Sequence, residues 1–400
     1  MLKQEIEEQL ADRLVERIQE TNEYILEKIG ESIKYMSTLT PSQAYKIGQV
    51  LKYGGSYESI AKELAKASGK NVEEIYKIFE EVAKSNKQFA KQFYEYRHID
   101  YILYTKDKAL QKQVKSIATI TANAYKNISK TKGIGFVFED AKRNRYFRDI
   151  KESYYEIIDR GILAISQGKE TFQSEMRRIM KQMGNSGIVQ YESGNIRRLD
   201  SAVRMNLLDG IRQLNIENSK RFGKEYKADG VEISVHSHPA VDHADIQGRQ
   251  FSNKEYEKLE NEQVAKDVKG NRYNGADKRH IGELNCYHKI FAIVIGVSKP
   301  EYTDEQLEQI NKENEKGFEY NGKHYTMYEG TQLQRRIELE IRKNKDKQIL
   351  GKSSGDNTLT EASELKIRQL ANKYNELCRV SGLQPKKQRM SVPSYRRIAV

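Results

Sequence analysis

The chain of 400 residues is 32% charged and 37% hydrophobic, with no Trp and only 5 Pro, which allows more than one domain around a modest core. Its formal net charge of +12 favours anionic partners, but the excess is dispersed, which fits weak electrostatic attraction to nucleic acid rather than base reading. Two cysteines, Cys286 and Cys378, exclude a disulfide framework, and no apolar run approaches the roughly 20 residues that span a bilayer. The opening segment MLKQEIEEQLADRLVERIQE is amphipathic and acidic-rich, unlike a secretory signal or transit peptide, so the cytosol is the expected place of synthesis and assembly.

Leu2, Ile6, Leu10, Leu14, Ile18, Ile25 and Ile29 recur at helical spacing and predict a long first helix that closes near Gly30. Thr40 and Pro41 suit the start of the next helix. SYESIAKELAKASGKNVEEIYKIFEEV reads as two helices split by Gly69, with Asn71 and Glu74 at capping-box spacing for the second. A helix-turn-helix reading fits poorly, because the second helix carries Glu73, Glu74, Glu80 and Glu81, which phosphate would repel. Helical pattern resumes from Gln88 and breaks at TKGIGFVFED. Helices over RDIKESYYEIIDRGILAISQG and TFQSEMRRIMKQM follow, then a short strand pair around GIVQYESG. In the helix over LDSAVRMNLLDGIRQLNIENSKRFG, Val203, Leu207 and Ile211 make the apolar stripe, and a solvated face accounts for Arg197, Arg198, Arg204 and Arg212.

The pattern changes after Gly230. VEISVH alternates with period two, and FAIVIGV has buried-strand length. EYTDEQLEQINKEN predicts a helix capped by Thr303, with Gln306 at the box position, and FEYNGKHYTMY predicts a hairpin turning at Asn321-Gly322. A charged helix follows in YEGTQLQRRIELEIRKNKDKQ, where Glu338 and Glu340 read as surface positions. GKSSGDNTL is linker-like, and a further helix from Glu361 to Arg379 leads into a basic tail. The fold class expected is α+β. It has a helical N-terminal domain (1–130), a helical middle region (131–230), a compact α+β module (231–350) and a linker, helix and tail (351–400).

The residues with chemistry are concentrated between Val231 and His288. His236 and His243 precede a long insert, and Cys286 and His288 follow it. All four are good zinc ligands, so zinc is the one cofactor the sequence suggests, against a plainer reading in which they hydrogen-bond within the core. HSHP is the central tetrapeptide of zinc-dependent isopeptidases, but the downstream places hold Gln247 and Arg249, so a third catalytic ligand is missing. Asp242-His243, Asn285 and His288 imitate an HNH nuclease across a gap too long for that compact unit.

From Ile196 to Lys347 several elements recur in order: RRLDSAVRMNLLDGIRQ, then HADIQG with His243, Gln247 and Gly248, then NCYH with Asn285, Cys286 and His288, then the hairpin and helix carrying Tyr328, Glu329 and Gln332. In these the chain resembles the phage minor capsid protein 2 family, itself distantly similar to Mu-F-type head morphogenesis proteins. Tyr287 stands where the resemblance leads one to expect Arg, and Ala240-Val241 where it leads one to expect Arg-Pro. The resemblance implies a non-enzymatic virion protein of a tailed phage or prophage, inside the head near the portal, assembled in the bacterial cytoplasm. Implied partners are the portal protein and the major capsid or scaffold protein, with no membrane. Weak contact with packaged DNA falls to the tail residues Lys386, Lys387, Arg389, Arg396 and Arg397. The rival expectations are a DNA-processing, HNH-like metalloenzyme or a DNA-binding protein packaged with the genome.

Overall fold

The computed structural model describes residues 4–41, 43–44, 56–128, 134–140, 142–186, 188–190, 196–262, 280–282 and 286–392. Helix α1 (Gln4–Met36) buries Leu10, Leu14, Ile18, Ile25 and Ile29 of the predicted stripe, joined by Ile33 and Met36, while Ile6 is exposed and Leu2 lies outside the described residues. It does not close at Gly30. There a Cβ would lie 1.8 Å from the Ser353 Oγ, so the glycine serves close helix approach rather than termination.

Helix α2 (Ser56–Tyr96) also runs straight through a predicted break, at Gly69. One exposed glycine costs a helix about 1 kcal/mol, too little to interrupt the continuous buried stripe of Ile60, Leu64, Ile75, Ile78, Phe79 and Val82. The predicted capping pair does other work. Asn71 is buried and donates to the Tyr125 hydroxyl at 2.8 Å, and Glu74 pairs with Arg13 and Arg17 of α1 at 3.5 and 3.4 Å. With no turn in the helix, there is no helical hairpin here and no helix-turn-helix.

Helices α3 (Lys108–Ile128) and α6 (Leu199–Glu225) complete a bundle with α1 and α2. Helices α4 (Ile150–Ser166) and α5 (Lys169–Ser186) pack on a four-stranded antiparallel sheet. Its order is β2–β1–β3–β4, from β1 (Ile134–Glu139), β2 (Arg145–Asp149), β3 (Ile188–Gln190) and β4 (Ile196–Arg198). The pair β3–β4 lies where GIVQYESG predicts strands. The apolar stretch read only as a break is the central strand β1, its Phe136, Val137 and Phe138 buried.

The chain then leaves α6 for a second antiparallel sheet, β6–β5–β7, made of β5 (Gly230–Ile233), β6 (Gln250–Ser252) and β7 (Ile290–Ile293). Val231 stands opposite both Phe251 and Ala292, and Ile233 opposite Ile290. Helix α7 (Asn253–Glu262) follows β6 and packs on β5 and β6, and α6 packs on β7. Helix α8 (Asp304–Lys316) opens with the predicted box: the Thr303 side chain accepts from the Gln306 N–H, and the Gln306 side chain accepts from the Thr303 N–H. In the hairpin of β8 (Phe318–Tyr320) and β9 (Lys323–Tyr325), Asn321 and Gly322 both take positive φ, +51° and +70°, as a two-residue hairpin turn requires.

Helix α9 (Met327–Ser354) returns to the bundle and packs along α1, α5 and α10 (Asn357–Ser381). The stretch read as a linker is a tight helix–helix turn. Gly355 ends α9 in the left-handed conformation, φ +77°, and Asp356 caps α10 by accepting from the Leu359 N–H at 2.8 Å. Glu338, read as a surface position, is buried on α9 and accepts from the Tyr374 hydroxyl at 3.0 Å. The main core therefore draws on residues from Leu10 to Val392. A smaller core of Val231, Ile233, Ile246, Tyr256, Leu259, Ile281 and Ile290 underlies the second sheet.

Candidate functional site

Because β5 and β7 are antiparallel, the segment leaving β5 and the segment entering β7 lie at the same end of the small sheet. The Ser234 N–H donates to the Lys289 carbonyl at 2.9 Å, and the Lys289 N–H donates to the Ser234 hydroxyl at 2.9 Å, which ties the two segments together. The first makes an excursion through the 3₁₀ turn Val241–His243 and comes back at Gly248. There the N–H donates to the Ile233 carbonyl at 2.8 Å with φ +71°, and Leu307 of α8 and Val235 fill the space a side chain would need.

This path brings His243, Cys286 and His288 together, all buried, with one ligand atom of each lying within 4.8 Å of the others. The Cys286 Sγ is 3.3 Å from the His243 Nδ1 and 3.3 Å from the His288 Nδ1. On their far sides, the His243 Nε2 faces the Asp242 carboxylate at 3.6 Å and the His288 Nε2 lies 3.2 Å from the Gln247 Oε1. Gln247 is itself fixed: its Oε1 accepts from the His236 N–H at 2.9 Å, and its Nε2 donates to the Asn311 Oδ1 at 3.5 Å.

His236, the fourth residue the sequence groups here, stands beside the trio rather than in it. Its ring centroid is 4.4 Å from that of His288, and its Nε2 is buried without a hydrogen-bond partner among the described residues. Burial pushes its pKa down to about 4. Burial alone would raise the Cys286 thiol, but the hydrogen bond and charge of His243, with backbone hydrogen bonds at Gly282 and His288, carry it below its ordinary value. Asn285 lies outside the described residues.

The neighbouring Tyr287 is enclosed by cations. The Arg212 guanidinium sits 4.4 Å from its ring centroid and that of Arg335 5.7 Å. Burial would raise the Tyr287 hydroxyl, but Arg335, Arg212 and Arg389 outweigh it and hold the pKa below the usual phenol value. Lys289, next along, reaches into the bundle and pairs with Glu7 of α1 at 2.7 Å, where Glu7 also accepts from Asn215 of α6 at 2.8 Å. The site is thus bolted to the helical core.

Of the arginines expected on a solvated face, Arg197 is exposed, and Arg198, Arg204 and Arg212 are not. Arg198 is buried between Asp200 and Asp346 at 3.3 and 2.9 Å, Arg342 joins Asp200 at 3.0 Å, Arg212 is buried, and Arg204 pairs with Asp12. Asp200 and Asp209 lie near Arg198 and Arg212 in sequence, but Asp346, Arg342 and Asp12 come from distant segments that no local pattern reveals. The tail residues are placed similarly. Lys386 and Arg389 both pair with Glu8 at 2.9 Å and Arg389 is buried, so neither is a free DNA contact, whereas Lys387 is exposed. Arg396 and Arg397 lie outside the described residues.

Of the hairpin-helix residues, Glu329 completes a capping box with Thr326, accepting from its N–H at 2.9 Å. The Tyr328 N–H donates to Asn314 of α8 at 2.9 Å, and Gln332 donates to the Thr331 hydroxyl at 3.4 Å. Sequence reading finds the His/Cys donors by residue type. It misses Asp242 as a partner of His243 and the role of Gln247 as an acceptor that orients His288, because both depend on which ring nitrogen faces which way. Chemically, a thiol held against two imidazoles can bind a soft metal ion or act as a nucleophile, and its burial leaves no approach for a substrate among the described residues.

A family model described as phage minor capsid protein 2 matches residues 2–379, which extends the likeness from the central segment over the helical N-terminal region as well. No curated protein and no solved structure matches the chain.

Proposed function

The chain belongs to the phage minor capsid protein 2 family, and from that membership we propose that it is a structural, non-enzymatic component of a tailed-phage or prophage head, assembled in the host cytoplasm and built in beside the portal. The observation that carries this reading is the match over nearly the whole chain, joined to a core that unites its first and last helices. A rigid block of this kind suits a load-bearing position. No described helix is long and apolar enough to cross a membrane.

Two surfaces support the partners. Around the connection between α2 and α3, Tyr96, Ile102 and Leu103 are each more than half exposed, which gives a portal or scaffold subunit an apolar edge to cover. On α3, Lys108, Lys112 and Lys115 are exposed at spacings of four and three, one basic stripe suited to weak phosphate contact. The burial of the His/Cys cluster favours a structural over a nuclease role.

Mass spectrometry of nuclease-treated, gradient-purified particles, with chemical cross-linking, tests the reading. The expected result is the chain in the particle and cross-links from the 96–108 region to the portal. Its absence from particles, or cross-links to tail proteins only, refutes the placement. Binding to duplex DNA should be weak and fall steeply with salt, and the triple substitution of Lys108, Lys112 and Lys115 by Ala should flatten that dependence.

A further inference from the structure

We propose that His243, Cys286 and His288 bind one divalent transition-metal ion of the zinc class, through Nδ1, Sγ and Nδ1, as a structural centre that locks the segment leaving β5 to the segment entering β7. The inference stands on geometry and hydrogen-bond accounting and is independent of the placement in the particle.

The accounting begins at Gln247. The backbone N–H of His236 can only donate, so the Gln247 Oε1 is an acceptor, and the His288 Nε2 at 3.2 Å from the same oxygen must carry its ring proton. Neutral His288 then has a bare lone pair on Nδ1. The His243 Nε2 faces the Asp242 carboxylate at 3.6 Å, which turns its Nδ1 toward the same site. Both Nδ1 atoms point at one sulfur, each at 3.3 Å.

The three atoms are enclosed, with His243 0% and Cys286 2% exposed, and a cation among them would take a lone pair from each imidazole and from the thiolate sulfur.

The dimensions fit. Zinc–sulfur bonds of about 2.3 Å and zinc–nitrogen bonds of about 2.0–2.1 Å at tetrahedral angles set S···N pairs roughly 3.5–3.6 Å and N···N pairs roughly 3.3–3.4 Å apart. The two S···N separations of 3.3 Å need to open by only about 0.2–0.3 Å to meet that geometry, and the ligand atoms of the trio all lie within 4.8 Å of one another. Two imidazoles and a thiolate select zinc-class ions over calcium or magnesium, which take oxygen ligands. The carboxylate of Asp242 and the amide of Gln247 stand behind the rings as orienting acceptors. The fourth position is left to water or to His236, which is alongside with its Nε2 buried and unpartnered among the described residues. Binding converts the Cys286 thiol to thiolate and releases one proton to solvent for each ion bound.

The test uses the full chain, stripped of metal with a chelator under reducing conditions and titrated with Co²⁺ alone. The expected result is one ion per chain. It should show the visible absorption of tetrahedral cobalt and a thiolate-to-cobalt charge-transfer band, both abolished by one equivalent of Zn²⁺. Cys286→Ser should lose the charge-transfer band and Cys378→Ser should keep it, with circular dichroism reporting that each variant folds. Zinc should also raise the melting temperature of the wild-type chain and slow alkylation of Cys286. Failure of the wild-type chain to take up cobalt overturns the proposal without reference to any variant. So does a band that survives in folded Cys286→Ser, or alkylation of Cys286 that zinc leaves unchanged.

Discussion

The helical core and the small sheet bury polar groups in opposite ways. The first is a single cluster running from Leu10 to Val392, and it holds full charges in its interior, among them the quartet Arg198, Asp200, Arg342 and Asp346. The second has seven buried apolar residues, and its polar interior gathers His243, Cys286, His288 and Gln247 around one another, with the buried Asp242 carboxylate behind His243. Buried charges are tolerated only when fully paired, and pairing needs rigid elements on every side. The bundle supplies them from α6, α9 and the strand β4. The loops of the sheet are joined by the Ser234–Lys289 hydrogen bonds and, on the proposal above, by a metal ion between them.

The largest effect should come from unbalancing the quartet. Burial alone would raise the Asp200 carboxyl, but Arg198 and Arg342 hold it well below the usual carboxylate range. Asp200→Ala leaves the buried Arg198 with Asp346 alone and takes the carboxylate from the partly buried Arg342, and should cost about 3–5 kcal/mol in denaturant unfolding. A loss below about 1 kcal/mol would mean that the bundle admits water to the quartet, and the contrast with the sheet would collapse.

What was legible in the sequence follows the same division. Several devices closed within a few residues were read correctly, namely the Thr303–Gln306 box, the Asn321-Gly322 turn, and the stripe of Val203, Leu207 and Ile211 on α6, whereas the Asn71–Glu74 box was not, because its residues pair with α1 and α3 instead. Features that depend on a distant partner were not. Gly30 and Gly69 look alike as local helix breakers, yet one meets Ser353 of α9 and the other faces open space. Arg198 and Arg212 look like surface residues until Asp346 and Tyr287 arrive from far along the chain. GKSSGDNTL has linker composition because a tight turn between helices needs the same glycine and capping residues. In the site, residue type identified the metal-ligand donors. The ring orientation set by Asp242 and Gln247 belongs to the tertiary structure alone.

A smaller effect is expected where the bundle's buried charge meets a helix start. Lys87 is buried among Tyr94, Tyr101 and Phe222 and pairs with Asp107 at 3.3 Å, which also accepts from Arg221 at 2.9 Å and caps α3 through the Leu110 N–H at 2.9 Å. Burial opposes ionisation of Asp107, but the Leu110 hydrogen bond and the charges of Arg221 and Lys87 outweigh it and lower its pKa. Asp107→Asn keeps the cap and should cost about 1.5–3 kcal/mol at neutral pH. The folded pKa lies below the unfolded one, so this stabilisation is complete above about pH 4 and is lost as the pH falls through the folded value. The gap between wild type and variant should therefore close on acidification. A gap that widens in acid would reverse the sign assigned to Asp107.

The smallest effect compares one local device in both regions. Thr303 caps α8, which covers the site loop through Leu307 against Gly248 and through Asn311, whose Nδ2 donates to the Ala244 carbonyl at 2.8 Å. Asp356 caps α10 in the bundle and also accepts from the Arg177 Nε at 2.8 Å. Thr303→Ala removes a cap and nothing else, and should cost about 1 kcal/mol. Asp356→Ala removes a cap and the half-buried partner of a guanidinium, so its loss should be the greater. Hydrogen exchange should place the first defect in α8 and the loop beneath it, and the second across α5 and α10. Equal losses confined to the capped turns would show that the bundle couples its charges no more tightly than the sheet does, because only long-range pairing makes the second cap worth more than the first.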